Sequence, residues 1–293
     1  MPISYFPQPD HSWETLDGEA PEALLDRHPT GEFLAMQTDT GGKNRAAIWN
    51  AHTKKIVWNP GDISALSWLP DGMEILAVRE EYHPDPRLHN AGGVQIVSPL
   101  QREFSYFVER LSWPAAERTA SAPLTLPTGW VSHVVVSPTA PLGFIVWHEQ
   151  NEGGVEQVTW QDGNLRQVPN AGYGLGGVIG KGPLFSPDGR YLALSSAEPF
   201  WWFDGEDSEA DPYDDEGAPS PGGEFQFGSI VIGNVMTGSY HSVGLTMSVP
   251  EGWTPDDPDE ASYEAVTSIA FADDGSIHVS LWNGEERTIS VSP

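Results

Sequence analysis

The residues best equipped for chemistry lie between Ala197 and Glu224. An aromatic run, Phe200-Trp201-Trp202-Phe203, leads into Asp204-Gly205-Glu206-Asp207-Ser208-Glu209-Ala210-Asp211-Pro212-Tyr213-Asp214-Asp215-Glu216. The segment from Ala197 to Glu224 holds ten carboxylates and no Lys or Arg. Further on, Trp253 followed by Asp256-Asp257-Pro258-Asp259-Glu260 repeats the theme. Aromatic anchors supply binding energy, and a surrounding negative field steers cations toward them. This composition suits a basic peptide or protein, with Trp201, Trp202, Asp204, Asp207, Tyr213 and Trp253 as contacts and Tyr173 as a further aromatic candidate. The same composition also describes a solvated acidic tongue whose aromatics merely pin it to the body. Calcium is a third option, because hard cations want clustered oxygens. However, Asp204-Gly205-Glu206-Asp207 lacks the ligand spacing of an EF-hand, so no cofactor is expected.

Two other constellations fail on context. Glu80-Glu81-Tyr82-His83-Pro84-Asp85-Pro86-Arg87-Leu88-His89 offers two imidazoles and several carboxylates, but the spacing matches no zinc motif and two prolines stiffen it. It reads as a polar surface loop. Gly172-Tyr173-Gly174-Leu175-Gly176-Gly177 carries the letters of a dinucleotide fingerprint. No amphipathic helix follows it and no βαβ unit contains it, so it reads as a flexible connection.

Bulk composition narrows the partners. Fourteen Lys plus Arg against 42 Asp plus Glu give a formal charge of −28, which repels nucleic-acid backbones. The absence of cysteine excludes disulfides and thiolate chemistry. Met1 to Pro7 lacks the basic and apolar regions of a signal peptide, and no apolar run approaches the roughly 20 residues of a membrane span. The expectation is a cytoplasmic monomer that contacts neither nucleic acid nor membrane.

The elements that position these residues are legible in a recurring phrase: an apolar run, a Pro-Asp-Gly-like turn, a second apolar run. Leu184-Phe185-Ser186-Pro187-Asp188-Gly189-Arg190-Tyr191-Leu192-Ala193-Leu194 is the clearest copy. Trp68-Leu69-Pro70-Asp71-Gly72-Met73 and Ala272-Asp273-Asp274-Gly275-Ser276 mark two more, and His28-Pro29-Thr30-Gly31 and Ser137-Pro138-Thr139-Ala140 are degraded versions. Proline presets the first turn dihedral, Asp bonds the backbone ahead, and Gly supplies a positive φ. A second hairpin follows, as in Ala47-Ile48-Trp49-Asn50-Ala51-His52-Thr53-Lys54 and Val231-Ile232-Gly233-Asn234-Val235-Met236-Thr237-Gly238.

Four antiparallel strands per repeat is the plan of a propeller blade. The phrases resemble the WD40-like and PD40 (TolB-like) repeats, with Asn50 standing where WD40 repeats carry Asp. The resemblance implies an all-β fold: a single β-propeller of five four-stranded blades. The blades fall at about 22–60, 61–113, 130–169, 178–246 and 264–293, the last closed by an N-terminal strand at 3–6.

In the second blade Gly93–Ser98 and Arg102–Val108 are expected to be the outer two strands. Within each blade the a–b and c–d turns are short. Long segments at Glu80–Gly92, Leu111–Gly129, Asn170–Gly182, Ala197–Glu224 and Thr246–Glu264 are all b–c or d–a connections, on one face. Loops on a rigid scaffold are where binding resides.

The favoured reading is therefore a non-catalytic binding scaffold, in a narrower form an inhibitor of a basic effector. The alternative is a glycan-active or metal-dependent enzyme whose carboxylates, drawn from Asp26, Asp62 and Glu264, line a central funnel.

Overall fold

The turn chemistry closes the first hairpin of each sheet. Asp71 Oδ1 accepts the Met73 amide at 2.9 Å, Asp188 Oδ1 accepts that of Arg190 at 3.1 Å, and Asp274 Oδ1 accepts that of Ser276 at 2.9 Å. The backbone bond is equally repetitive: Gly72 N donates to Leu69 O at 2.8 Å, Gly189 N to Ser186 O at 2.8 Å, and Gly275 N to Ala272 O at 3.0 Å. Where the phrase lacks Asp and Gly, Ser137 Oγ takes over and accepts the amides of Thr139 and Ala140. The second hairpins use Asn in the same way. Asn50 Oδ1 accepts the amides of His52 and Thr53, and Asn234 Oδ1 those of Met236 and Thr237.

Two of these glycines separate backbone strain from crowding. Gly275 has φ +82° with open space around it, whereas at Gly72 (φ +70°) a Cβ would sit 2.7 Å from His28 Nε2. That imidazole nitrogen is bonded to Gly72 O at 3.0 Å. Gly275→Ala should therefore cost about 1–2 kcal/mol for the left-handed backbone alone. Gly72→Ala should cost about 1 kcal/mol more, because His28 must move and its hydrogen bond is lost. Chemical denaturation of the two variants side by side checks the order, and equal losses would contradict it.

The computed structural model describes residues 12–39, 44–82, 104–126, 129–149, 152–169, 173–175, 178–179, 182–197, 224–248, 266–281 and 284–291. They divide into two compact units, residues 1–150 with 154–174, and residues 151–153 with 175–293. The first unit holds three antiparallel sheets. The first is β1 (Ala23–Arg27), β2 (Phe33–Asp39), β3 (Asn44–Asn50) and β4 (Ile56–Trp58). The second is β5 (Ile63–Trp68), β6 (Glu74–Tyr82), β7 (Phe104–Ser112) and β8 (Arg118–Leu124). The third runs β9 (Trp130–Val136), β10 (Leu142–Glu149), β11 (Glu152–Thr159) and β12 (Arg166–Gln167), with β13 (Tyr173–Leu175) also pairing with β11.

The second unit holds two sheets. In one, β14 (Val178–Ile179) and β15 (Leu184–Phe185) share the partner β16 (Tyr191–Ala197), followed by β17 (Glu224–Asn234) and β18 (Tyr240–Ser248). The other is three-stranded: β19 (Val266–Phe271), β20 (Ile277–Leu281) and β21 (Glu286–Ile289). The fourth strand expected at 3–6 lies outside the described residues. The only helix among the described residues is a single 3-10 turn at Gln161–Gly163.

Each unit has its own apolar filling between sheets. Ile48, Ile63, Leu66, Ile75 and Leu111 join the first two sheets, and Leu76, Val108, Val131, Ile145 and Trp160 join the second and third. In the second unit Ile230, Ile232, Leu245, Ile277 and Val279 do the same. A segment unforeseen from sequence packs on the first sheet: Leu16 lies against Leu34, Met36 and Trp49. Glu14 completes the cover, its Oε2 accepting the Ile56 amide at 2.7 Å and its amide donating to Lys54 O at 2.9 Å.

The second sheet corrects the boundaries read from sequence. Its third strand is β7 at Phe104–Ser112 and its outer strand is β8 at Arg118–Leu124, so the sheet ends near 124 rather than 113. Leu111–Gly129 is therefore a turn plus an outer strand, and only 125–129 connects to the third sheet. The turn between β7 and β8 is closed by Ala116 at φ +55° instead of by glycine, which removes the usual signal. Likewise Glu80 and Tyr82 belong to β6, and the glycine-rich connection at 170–182 contains the short strands β13 and β14.

Candidate functional site

The two most acidic segments of the chain adjoin paired residues of the fourth sheet. β17 continues past its partner β16, which ends opposite Gly228, and pairs on with β18 through Glu224↔Ser248, Phe225↔Met247 and Gln226↔Thr246. Residues 198–223 enter at Glu224, and residues 249–265 leave from Ser248, its cross-strand partner. The first segment carries nine carboxylates and the second six, with no Lys or Arg in either. Trp201, Trp202, Asp204, Asp207 and Tyr213 fall in the first and Trp253 in the second, all outside the described residues. Tyr173 lies on β13, in the third sheet, and its side chain is likewise not described. The calcium and His83–His89 options also fall outside the described residues. Among the described residues no group of three or more His, Asp or Glu gathers at metal-binding distance.

The inner strands share an irregularity that the sequence did not announce. One extra residue bulges from each of four of them: Leu25 in β1, Ser64 in β5, Ser132 in β9 and Thr267 in β19. In the fourth sheet the inner position is divided between two short strands, β14 paired with Ser196 and Ala197 and β15 with Leu192 and Ala193. A bulge re-aims the side chain it carries and bends the strand. An inner strand bulged near its start, a tight a–b hairpin and sheet order a-b-c-d identify the architecture. The sheets are β-propeller blades.

Three blades belong to the first unit and two to the second. No protein-family profile and no curated protein matches the sequence. Solved structures similar to the chain include acylaminoacyl peptidase from Pyrococcus horikoshii, at 14% identity and a TM-score of 0.43 over 94% of this chain and 40% of that one. TolB from Acinetobacter baumannii gives 13% and 0.42 over 78% and 45%. The Dos1 propeller gives 10% and 0.45 over 94% and 55%. The chain thus spans less than two thirds of each of these proteins.

Within the first unit, the bulged ends of the blades carry polar groups of two kinds. One kind is fully engaged. Glu80 accepts from Arg45 Nη1 at 3.0 Å and from the Tyr106 hydroxyl at 3.3 Å, and that hydroxyl also donates to Gly129 O at 2.9 Å. Burial, reinforced by Glu80, pushes the Tyr106 phenol well above its ordinary value. Arg45 belongs to the first sheet, Glu80 to the second, and Gly129 directly precedes β9 of the third, so the cluster ties these three sheets together.

The other kind lacks partners. Ser132 Oγ, His133 Nδ1 and Trp147 Nε1 in the β9–β10 hairpin, and Ser64 Oγ on neighbouring β5, are buried without a hydrogen bond. His148 is buried on the same hairpin, with Trp130, 43% exposed, stacked on its ring at 6.0 Å between centroids. Burial holds both imidazoles down at about 4, and for His148 the neighbouring His133 adds to the effect. Both are neutral at physiological pH. No pattern in the sequence pointed to these residues, because one inserted residue in a strand changes neither composition nor spacing enough to register.

Of the carboxylates named for a funnel enzyme, Asp26 is already occupied. Its Oδ2 accepts from Ser67 Oγ at 2.6 Å and Trp68 N at 2.8 Å, and its Oδ1 from Arg27 N at 2.7 Å. It staples the first blade to the second, and burial raises its pKa despite these bonds. Asp62 contributes its backbone carbonyl to the Glu80 amide. Glu264 lies outside the described residues.

Proposed function

We propose that this propeller is a non-catalytic scaffold that binds a basic protein or peptide through the paired acidic segments of its fourth blade. Trp201, Trp202 and Trp253 are the anchors in this reading, and the carboxylates around them steer and hold the cationic partner. Tyr213 adds a further aromatic contact, Asp204 and Asp207 follow Trp201 and Trp202 within the same segment, and Tyr173 belongs to the preceding blade. The observation that carries it is the Glu224↔Ser248 pairing, which launches both segments from adjacent positions at one end of a rigid ladder. The two segments that adjoin these paired residues together carry fifteen carboxylates and no Lys or Arg. A narrower form is an inhibitor of a basic effector, in which the acidic segments occupy the surface that the effector offers to phosphate.

The bonding of Asp26 supports a scaffold over a funnel glycosidase, because a carboxylate holding two blades together is poorly placed to move protons on a sugar. The test is deletion of Asp204–Gly222. Binding of the basic partner should be lost while the melting temperature stays within a few degrees of the parent. A deletion that binds normally would refute the assignment.

A further inference from the structure

The outer edges of the blades are guarded, with one exception. β4 is three residues long and has Glu14 on its Ile56 amide. β8 carries Arg118 and Pro123, β12 has only two residues, and β21 has four with Glu286 and Arg287 among them. Short length, charge and proline are the devices that prevent a sheet edge from pairing with another chain. β18 uses none of them. It is nine residues long, Tyr-His-Ser-Val-Gly-Leu-Thr-Met-Ser, with no proline and no Asp, Glu, Lys or Arg. It ends its sheet, and among the described residues no strand pairs with its outer edge.

We propose that the outer edge of β18 pairs with the same edge of a second copy of this chain, antiparallel and centred on Gly244. Two features of the strand select that occupant. First, its chemistry is palindromic about Gly244. In this register Val243 faces Leu245 of the second copy, and Ser242 faces Thr246. Leu245 is buried and Val243 packs against the same apolar cluster, whereas Ser242 and Thr246 are exposed on the other side of the strand. Each face therefore meets its own kind, apolar against apolar and hydroxyl against hydroxyl, and cross-strand Ser–Thr pairs are favourable. Gly244 meets Gly244 at the axis, as an isologous contact requires.

Second, the strand lies in a neutral island. From Phe225 to Pro250 the sequence has no charged side chain, although the chain carries −28 overall. Two such chains repel wherever their acidic surfaces meet. At physiological salt the repulsion is screened within about 8 Å, so an uncharged hairpin is where two copies can approach.

Sedimentation velocity on the full chain tests this. The parent should sediment as a dimer at micromolar concentration and physiological salt. Ser242→Lys with Thr246→Lys places like charges opposite each other at both pairs and should give a monomer, as should Ser242→Glu with Thr246→Glu. An equimolar mixture of the two variants should restore the dimer, which a folding defect would not do. A parent that stays monomeric overturns the proposal, including one whose β18 amides nevertheless exchange slowly because its own chain covers the edge. A Lys variant that remains dimeric also overturns it, as does a mixture that fails to pair while both variants keep the parental circular dichroism.

Discussion

Trp49→Ala should destabilise the first unit by about 4–5 kcal/mol, at the upper end for a buried aromatic. The ring is fully buried and packs with Leu16, Leu34, Met36 and Ala47. Its Nε1 donates to Glu14 O at 2.9 Å, which fastens the 12–19 segment to the first blade. Alanine therefore opens a cavity and leaves the Glu14 carbonyl without its donor, and the segment that covers β4 loses its main anchor. Domains have only about 5–15 kcal/mol in hand, so the first unit should be near its unfolding limit. Trp49→Phe keeps most of the packing and should lose about 1–2 kcal/mol, largely for the missing hydrogen bond. Urea denaturation followed by tryptophan fluorescence measures both. A Trp49→Phe variant as stable as the parent would show that the segment is not held by the indole nitrogen.

Acid should act through the two histidines of the third blade. Burial lowers His133 and His148 from the ordinary 6.5 to about 4. An unfolded chain takes up these protons as the pH falls below 6.5, and the folded chain resists until about 4. The stabilisation from keeping both rings neutral is therefore complete above pH 6.5 and disappears as the pH falls toward 4. Across that interval the loss is about 3 kcal/mol for each imidazole. Asp26 and Glu156 act in the opposite sense, because burial raises both carboxyls and acid relieves them. Denaturation midpoints measured from pH 7 to pH 4 should fall steeply. The double variant His133→Gln with His148→Gln should flatten that curve, and an unchanged slope would place the acid sensitivity elsewhere.

The legible part of this fold was the part written in turns. Asp71, Asp188 and Asp274 bond the amides two residues on, and Asn50 and Asn234 do so in the second hairpins, so a short local motif sufficed to place the hairpins. The outer half of the second blade escaped because Ala116 replaces glycine at its turn and Pro123 sits within β8. Proline argues against a strand unless the strand is an edge, which is a fact of tertiary structure. The inner-strand bulges at Leu25, Ser64, Ser132 and Thr267 escaped because a single inserted residue leaves the apolar alternation readable on either side. The docking of Trp13, Glu14 and Leu16 depends on a bond between residues 35 positions apart. The acidic character of the candidate site was visible in composition. That its two halves begin on paired residues of one ladder was not, since pairing of Glu224 with Ser248 is set by the register of β17 on β18.

The most direct test of the binding reading is a capture experiment with the immobilised chain and its Asp204–Gly222 deletion, each eluted with a salt gradient. Electrostatic association predicts a stoichiometric, predominantly basic protein that the intact chain retains and moderate salt releases, and that the deletion does not hold. A partner retained equally by both, or one that high salt fails to release, would contradict the account and move the binding surface away from the acidic segments.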